Sequence, residues 1–157
     1  MKTRAIQPGP RYDALIQLLR TSEALWNASR VFFDRWELSP SQFNILNLLR
    51  DHEAGLSQIE LSRELITHRS NVTGLVDRLE KRGLVRRQDN AADRRAYRIQ
   101  LTKTGWALLA EMLPHYYLAA ETVWGDVSAR HASQLVANFT KISANATAMA
   151  ERKSQKG

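Results

Sequence analysis

Residues 57–102 read SQIELSRELITHRSNVTGLVDRLEKRGLVRRQDNAADRRAYRIQLT, and the order of patterns in this stretch decides the fold. Ser57-Gln58-Ile59-Glu60 has the form of a capping box, in which a serine and an acid three residues on satisfy each other's free backbone N–H groups. It starts a short helix to about Leu65, with Leu56 just ahead of the cap and Ile59, Leu61 and Leu65 apolar. Ile66-Thr67-His68 is a short connection. The next helix, from about His68 to Lys81, carries Val72, Leu75, Val76 and Leu79 at i, i+3, i+4 and i+7, one face of a helix. Lys81 and Arg82 place cations in its last turn, and Gly83 stops it. From Leu84 the period changes to two. Leu84-Val85-Arg86-Arg87 leads into a loop-like Asp89–Asp93. Then Tyr97, Ile99 and Leu101 alternate with Arg98 and Gln100, as on a strand with one buried face. The expected order is helix, short turn, helix and a basic two-stranded hairpin.

In a helix-turn-helix the second helix enters the major groove of DNA. Here Val72, Leu75, Val76 and Leu79 would lock that helix to a core, leaving Arg69, Ser70, Asn71, Thr73, Gly74 and Asp77 facing outward. Such polar side chains read base edges or hold phosphates, and Gly74 would let the backbone come close. The hairpin adds Arg86, Arg87, Arg94, Arg95 and Arg98 around one small loop. That clustering is unfavourable unless something negative sits opposite. An arginine at a hairpin tip suits a narrow minor groove, where the potential is most negative. Basic residues also protect exposed strand edges, but arginine beside this helix pair favours nucleic acid.

The flanks are helical. Upstream, Leu15, Leu18, Leu19, Ser22, Trp26, Ser29, Phe33 and Trp36 draw one stripe, widened by Leu25 and Phe32 beyond what a single core face needs. This long helix should bury surface against more than its own domain. Ser39-Pro40-Ser41-Gln42 opens a second helix with a cap, an N1 proline and a reciprocal glutamine. Phe43, Leu46 and Leu49 form its buried face, and Gly55 can take the left-handed conformation that ends it. Downstream, Thr102 caps a helix with Trp106, Leu109, Leu113, Tyr116, Ala120 and Val123 on one stripe and a kink expected before Pro114. Ser128 caps a last helix, with Ala132, Leu135, Val136, Phe139, Ile142, Ala146 and Met149 facing inward.

Bulk composition agrees. The chain of 157 residues is 43% hydrophobic, enough for a core, which argues against wholesale disorder. A net charge of +7 suits a polyanionic partner, nucleic acid or an anionic membrane surface, and equally suits simple solubility. There is no cysteine, which removes disulfides, thiol redox sensing and cysteine-ligated zinc, and fits a cytoplasmic protein. Residues 1–10 carry Lys2 and Arg4 without an apolar segment, so no signal peptide is expected, and no apolar run approaches a membrane span.

The stretch Ser70–Arg87, SNVTGLVDRLEKRGLVRR, resembles the recognition helix and first wing strand of the MarR (multiple antibiotic resistance regulator) family. Asp93-Arg94-Arg95 is similar to that family's Asp-x-Arg wing motif, and Leu101-Thr102-Lys103-Thr104-Gly105 to its Leu-Thr-x-x-Gly. The spacing of these parts agrees, and the resemblance covers nearly the whole chain. It implies a mainly α fold with a small β-hairpin wing: a winged helix-turn-helix lobe over 39–102, with 1–38 and 103–157 forming the helical dimerisation region of an obligate homodimer. It further implies that Arg95 enters or lies along the minor groove and that Asp93 orients it by a charge-assisted hydrogen bond. Arg78 and the Lys81-Arg82 pair would hold phosphates or structure. Members of the family bind pseudo-palindromic promoter sites in double-stranded DNA, commonly as repressors. They let go when a small molecule fills a cleft between dimer helices and winged lobe.

That cleft would be lined by Trp26, Arg30, Phe33, Trp36, Phe43, Met112, His115 and Tyr116. Aromatic walls with a few polar groups suit phenolic or aromatic carboxylate ligands, although aromatics at helical spacing also build cores. His52, His68, His115 and His131 include no i, i+4 pair, so neither a metal nor a cofactor is expected beyond an unidentified effector. No nucleotide loop or nucleophile–base pair occurs at a diagnostic spacing, so no enzyme is expected. The C-terminal helix has a weakly basic polar face, better suited to an interface than to a membrane. The alternative function is a nonspecific architectural DNA-binding protein without a ligand, its affinity set by phosphate contacts. Ser70, Asn71 and Thr73, in place of lysines, argue against it.

Overall fold

The computed structural model describes residues 8–65, 71–90 and 93–154, the side chains of 90, 93–96, 153 and 154 excepted. In chain order the elements are α1 (Pro10–Asp34), α2 (Pro40–Arg50), β1 (Leu56–Ser57), α3 (Gln58–Glu64), α4 (Val72–Lys81), β2 (Val85–Asn90), β3 (Asp93–Leu101), α5 (Lys103–Trp124) and α6 (Ala129–Ser154). This is a mainly α winged helix-turn-helix with a small antiparallel sheet. The chain divides within α5 into two compact units, Met1–Ala110 and Glu111–Gly157.

The first unit is built on its caps. Ser39 and Gln42 close one capping box, with Gln42 N donating to Ser39 Oγ and Ser39 N to Gln42 Oε1. Ser57 and Glu60 close another. Thr102 Oγ1 accepts from Gly105 N at 3.0 Å and donates to Gly83 O at 2.6 Å, which ties the start of α5 to the end of α4. Helices of seven and ten residues, as α3 and α4 are, do not persist alone in water. They are held by Leu61, Val72, Leu75, Val76 and Leu79, all buried against Ile45, Leu46, Leu49 and Ile99 in one core. A fully buried aliphatic side chain contributes about 1.5–3 kcal/mol, more than any propensity difference within so short a helix.

The sheet differs from the expected two-stranded hairpin. It has three strands in the order β1-β3-β2, with Leu56 opposite Ile99 and Ser57 opposite Arg98. Two residues are too few to show a period, so β1 exists only through its partner. Gly55 makes the approach possible. Its φ is +78°, and a Cβ there would lie 2.5 Å from Ile99 O. The β2–β3 ladder also reaches further than the loop-like composition of 89–93 suggests, pairing Asp89 with Tyr97 and Asn90 with Asp93 across an irregular register. Cross-strand hydrogen bonds outweigh the local turn preference of Asp and Asn there.

α1 stops at Asp34, so Trp36 lies in the turn that follows and not on the helical stripe, and Glu37 takes φ +54°. Only Phe33 of α1 is buried, stacked on Phe43 with ring centroids 4.3 Å apart. Leu15, Leu19 and Leu25 remain 48, 59 and 43% exposed, so the over-wide stripe is not covered by the chain itself. In the second unit α5 runs unbroken through Pro114, and Gly125 turns the chain with φ +57°. Ser128 Oγ accepts from His131 N at the start of α6. The inward face expected of α6 is a correction: Val136, Phe139, Ile142 and Met149 are exposed, because two helices offer no further layer to bury them. No helix among the described residues is long and apolar enough to cross a membrane.

Candidate nucleic-acid interface

α4 presents the face that its sequence promised. Val72, Leu75, Val76 and Leu79 point into the core, while Thr73, Asp77 and Arg78 are exposed. The helix starts later than expected, at Val72 with Asn71 as its N-cap residue. Asn71 makes no capping bond. Its side chain lies over Gly74, where a Cβ would meet Asn71 Oδ1 at 2.5 Å and Arg78 Nη1 at 3.5 Å. The missing side chain of Gly74 thus makes room for Asn71. Arg69 and Ser70 lie outside the described residues. On the neighbouring helix Gln58 Nε2 donates to Thr73 Oγ1 at 2.8 Å, a contact that the sequence did not signal.

The arginines of the wing divide. Arg87 is not available to a partner as the clustering argument supposed. Its guanidinium bridges Asp77 and Glu80 of α4, and its backbone N–H donates to Glu80 Oε1 at 2.9 Å. The hydrogen bond to Asp77 holds its pKa above the ordinary arginine value, with Glu80 adding to the effect and burial opposing it. Arg98 donates to Ala54 O at 2.9 Å and to Gly55 O, with Glu60 at 3.9 Å. Arg86 donates to Gln100 Oε1 at 3.1 Å. The negative groups opposite these arginines are therefore the protein's own acids and carbonyls, which charge counting cannot see. Arg94 and Arg95 follow Asp93 at the start of β3, and their side chains, with that of Asp93, lie outside the described residues. Arg82 serves structure: it donates to Glu37 O at 2.6 Å and Trp36 O at 3.0 Å, clamping the end of α4 to the α1–α2 turn.

Glu60 accepts from the Ser57 backbone and hydroxyl within the capping box, which holds its pKa below the ordinary glutamate value, helped by Arg98. The box that positions α3 is thus charged throughout the neutral range.

The candidate ligand residues fall in two places. Trp26, Arg30, Phe33, Trp36 and Phe43 belong to the first unit, and Met112, His115 and Tyr116 to the second. Phe33, Phe43 and Met112 are buried, with the first two packed on each other. Arg30 and His115 are exposed, and Trp26, Trp36 and Tyr116 are half-buried. Arg35 covers the Trp36 ring, its Cζ 3.6 Å from the centroid. A separate cavity of about 310 Å³ in the first unit is lined by Leu49, His52, Glu53, Arg86, Gln100, Leu101 and Trp106, none of them a sequence candidate. No cluster of three or more metal-ligating side chains occurs among the described residues.

Comparison with known proteins places this geometry. The MarR family model matches residues 38–97, from just before α2 to within β3. The chain is 28% identical to the HTH-type transcriptional regulator PapX of Escherichia coli over 141 residues, 84% of this chain and 86% of that protein. It is 31% identical to the HTH-type transcriptional regulator PrsX of Escherichia coli over 113 residues, 71% of this chain and 68% of that protein. Among solved structures, Bordetella bronchiseptica BpsR, described with regulation of its DNA binding by 6-hydroxynicotinic acid, superposes with a TM-score of 0.75 at 25% identity, covering 87% of this chain and 98% of that one. With its winged lobe, its recognition-helix motif and these relatives, the chain belongs to the MarR family of DNA-binding transcriptional regulators.

Proposed function

We propose that this regulator is a repressor that binds a pseudo-palindromic promoter site as a homodimer and is released by a small aromatic or phenolic ligand. The observation that carries the reading is α4: four apolar residues buried, an exposed face of Asn71, Thr73 and Arg78, and a wing braced to it by Arg87. In this reading Arg69, Ser70, Asn71 and Thr73 meet the major groove, with Gly74 leaving room for Asn71. Arg78 and Arg94 hold phosphates, and Arg95, oriented by Asp93, meets the minor groove. Two copies of α4 would stand about 34 Å apart on DNA, one helical turn.

Dimerisation is supported by the uncovered apolar rows Leu15, Leu19 and Leu25 of α1 and Val136, Phe139 and Ile142 of α6. An exposed apolar row of this extent marks an interaction surface. Ligand response is supported by the likeness to BpsR, whose DNA binding 6-hydroxynicotinic acid regulates. It is also supported by Asn44 Nδ2, a buried donor without a partner among the described residues, which a polar ligand would satisfy. Trp26, Arg30 and Trp36 are the remaining candidates of the first unit for such a site.

The test is a gel shift with the DNA upstream of the protein's own gene, over a salt series, with random DNA as competitor and light scattering to count protomers. Complexes that resist the competitor at physiological salt and contain two protomers are expected, and candidate aromatic acids should dissociate them. Binding that random DNA erases would instead mark an architectural protein held by phosphates alone.

A further inference from the structure

Gln58 is the first residue of α3 and Thr73 the second of α4. Their 2.8 Å hydrogen bond joins the two helices outside the seam that Leu61, Val72 and Val76 already close. Thr73 is exposed and Gln58 half-buried, so the bond is not required to satisfy a buried group. Its consequence is directional. A threonine hydroxyl has one proton and two acceptor sites. Gln58 Nε2 brings a hydrogen to one acceptor site, so the hydroxyl proton cannot point at Gln58 and is turned away from α3.

We propose that Gln58 is a specificity-determining positioning residue. By occupying one acceptor site of Thr73 Oγ1 it commits the Thr73 proton outward, so that Thr73 acts as a donor to an acceptor on a base edge. The proposal rests on the reading of α4 as the recognition helix. Major-groove acceptors are N7 and O6 of guanine, N7 of adenine and O4 of thymine, whereas cytosine offers only a donor. Thr73 therefore discriminates against cytosine at one position of each half-site. Without Gln58 the hydroxyl rotates freely, can accept as readily as donate, and the discrimination is lost although Thr73 is intact.

The experiment selects bound sequences from a randomised DNA duplex library with the full-length wild type, Gln58→Met, Gln58→Glu, Thr73→Val, Thr73→Ser and the double variant Gln58→Met/Thr73→Val. Thermal unfolding and the salt dependence of affinity are measured alongside. The wild type should disfavour cytosine at one position by about fivefold to tenfold, the scale of a single hydrogen bond. Gln58→Met and Thr73→Val should flatten that same position, and the double variant should flatten it no further than Thr73→Val. Thr73→Ser keeps the hydroxyl and the preference. Gln58→Glu can only accept, so it draws the Thr73 proton to itself and should shift the position toward the donor bases cytosine and adenine.

Uniform weakening of all sequences by Gln58→Met, with a shallower salt dependence, would make Gln58 a phosphate ligand and overturn the proposal. A lowered unfolding midpoint with an unchanged base profile would make the bond a helix brace and overturn it equally. A wild type that enriches no sequence would instead overturn the recognition-helix reading itself.

Discussion

Removing the Arg87 guanidinium, as in Arg87→Met, tests whether the wing is clamped to the recognition helix. The arginine side chain is 24% exposed and bridges Asp77, 56% exposed, and Glu80, 36% exposed. Charged hydrogen bonds contribute about 1.5–3 kcal/mol when shielded, and exposed ion pairs only about 0.2–1 kcal/mol. Both carboxylates remain open to water, so each bond belongs near the lower range, and the variant should lose about 1–2 kcal/mol in all. For a chain of this size that is about 2–8 °C in unfolding midpoint. The measurement is urea and thermal unfolding of Arg87→Met, Asp77→Asn, Glu80→Gln and the two double variants Arg87→Met/Asp77→Asn and Arg87→Met/Glu80→Gln. Each carboxylate should couple to Arg87 by about 0.5–1 kcal/mol. A group whose folded pKa is raised contributes stability that is present below its unfolded pKa and lost only as pH rises through the folded one. Arg87 is raised above an already high value, so the loss should be constant between about pH 6 and 9. An unchanged midpoint, or double variants that are simply additive, would refute the clamp.

Four other outcomes are expected. Gly105→Ala places a Cβ 2.1 Å from Leu84 O, a backbone atom that cannot step aside, so it should destabilise the lobe by about 3 kcal/mol in urea unfolding. Gly74→Ala meets only side-chain ends, the carboxamide of Asn71 closely and the Arg78 guanidinium at ordinary contact distance. It should therefore raise stability by up to about 1 kcal/mol through helix propensity, while gel shifts show weaker specific binding as the Asn71 carboxamide is displaced. Glu60 has a lowered pKa, so its contribution is present above the unfolded pKa and lost as pH falls through the folded one. Because glutamine can still close the box as Gln42 does, and Glu60 is open to water, Glu60→Gln should be less stable than wild type at neutral pH by only a few tenths of a kcal/mol, and the gap should close on acidification below the glutamate range. Arg95→Ala should weaken operator binding, Asp93→Ala should do so to a smaller extent, and unchanged affinity in both would remove the wing from the interface.

The helices and their caps were legible in the sequence because each rests on residues a few places apart. Ser39 with Gln42, Ser57 with Glu60, and Thr102 with Gly105 act within one turn, and the Val72–Leu79 spacing reports a face directly. The recognition-helix and wing motifs were legible for the same reason, being runs of adjacent residues. The arginines were misjudged where their partners are remote in sequence. Arg98 bonds carbonyls 43 and 44 residues away, whereas Arg82, read as holding phosphates or structure, serves structure through carbonyls 45 and 46 residues away.

Sequence alone therefore determined the order of the helices and the wing hairpin, the capping boxes, the buried face of α4 and the family, all written in local spacing and short motifs. Tertiary structure decided which charges are left for a partner, that Leu56–Ser57 becomes a third strand on β3, that Asn71 lies over Gly74, and that Gln58 meets Thr73. Those facts depend on how helices and strands come together in space. Chain spacing carries no record of which lone pair, carbonyl or carboxylate a distant side chain will meet.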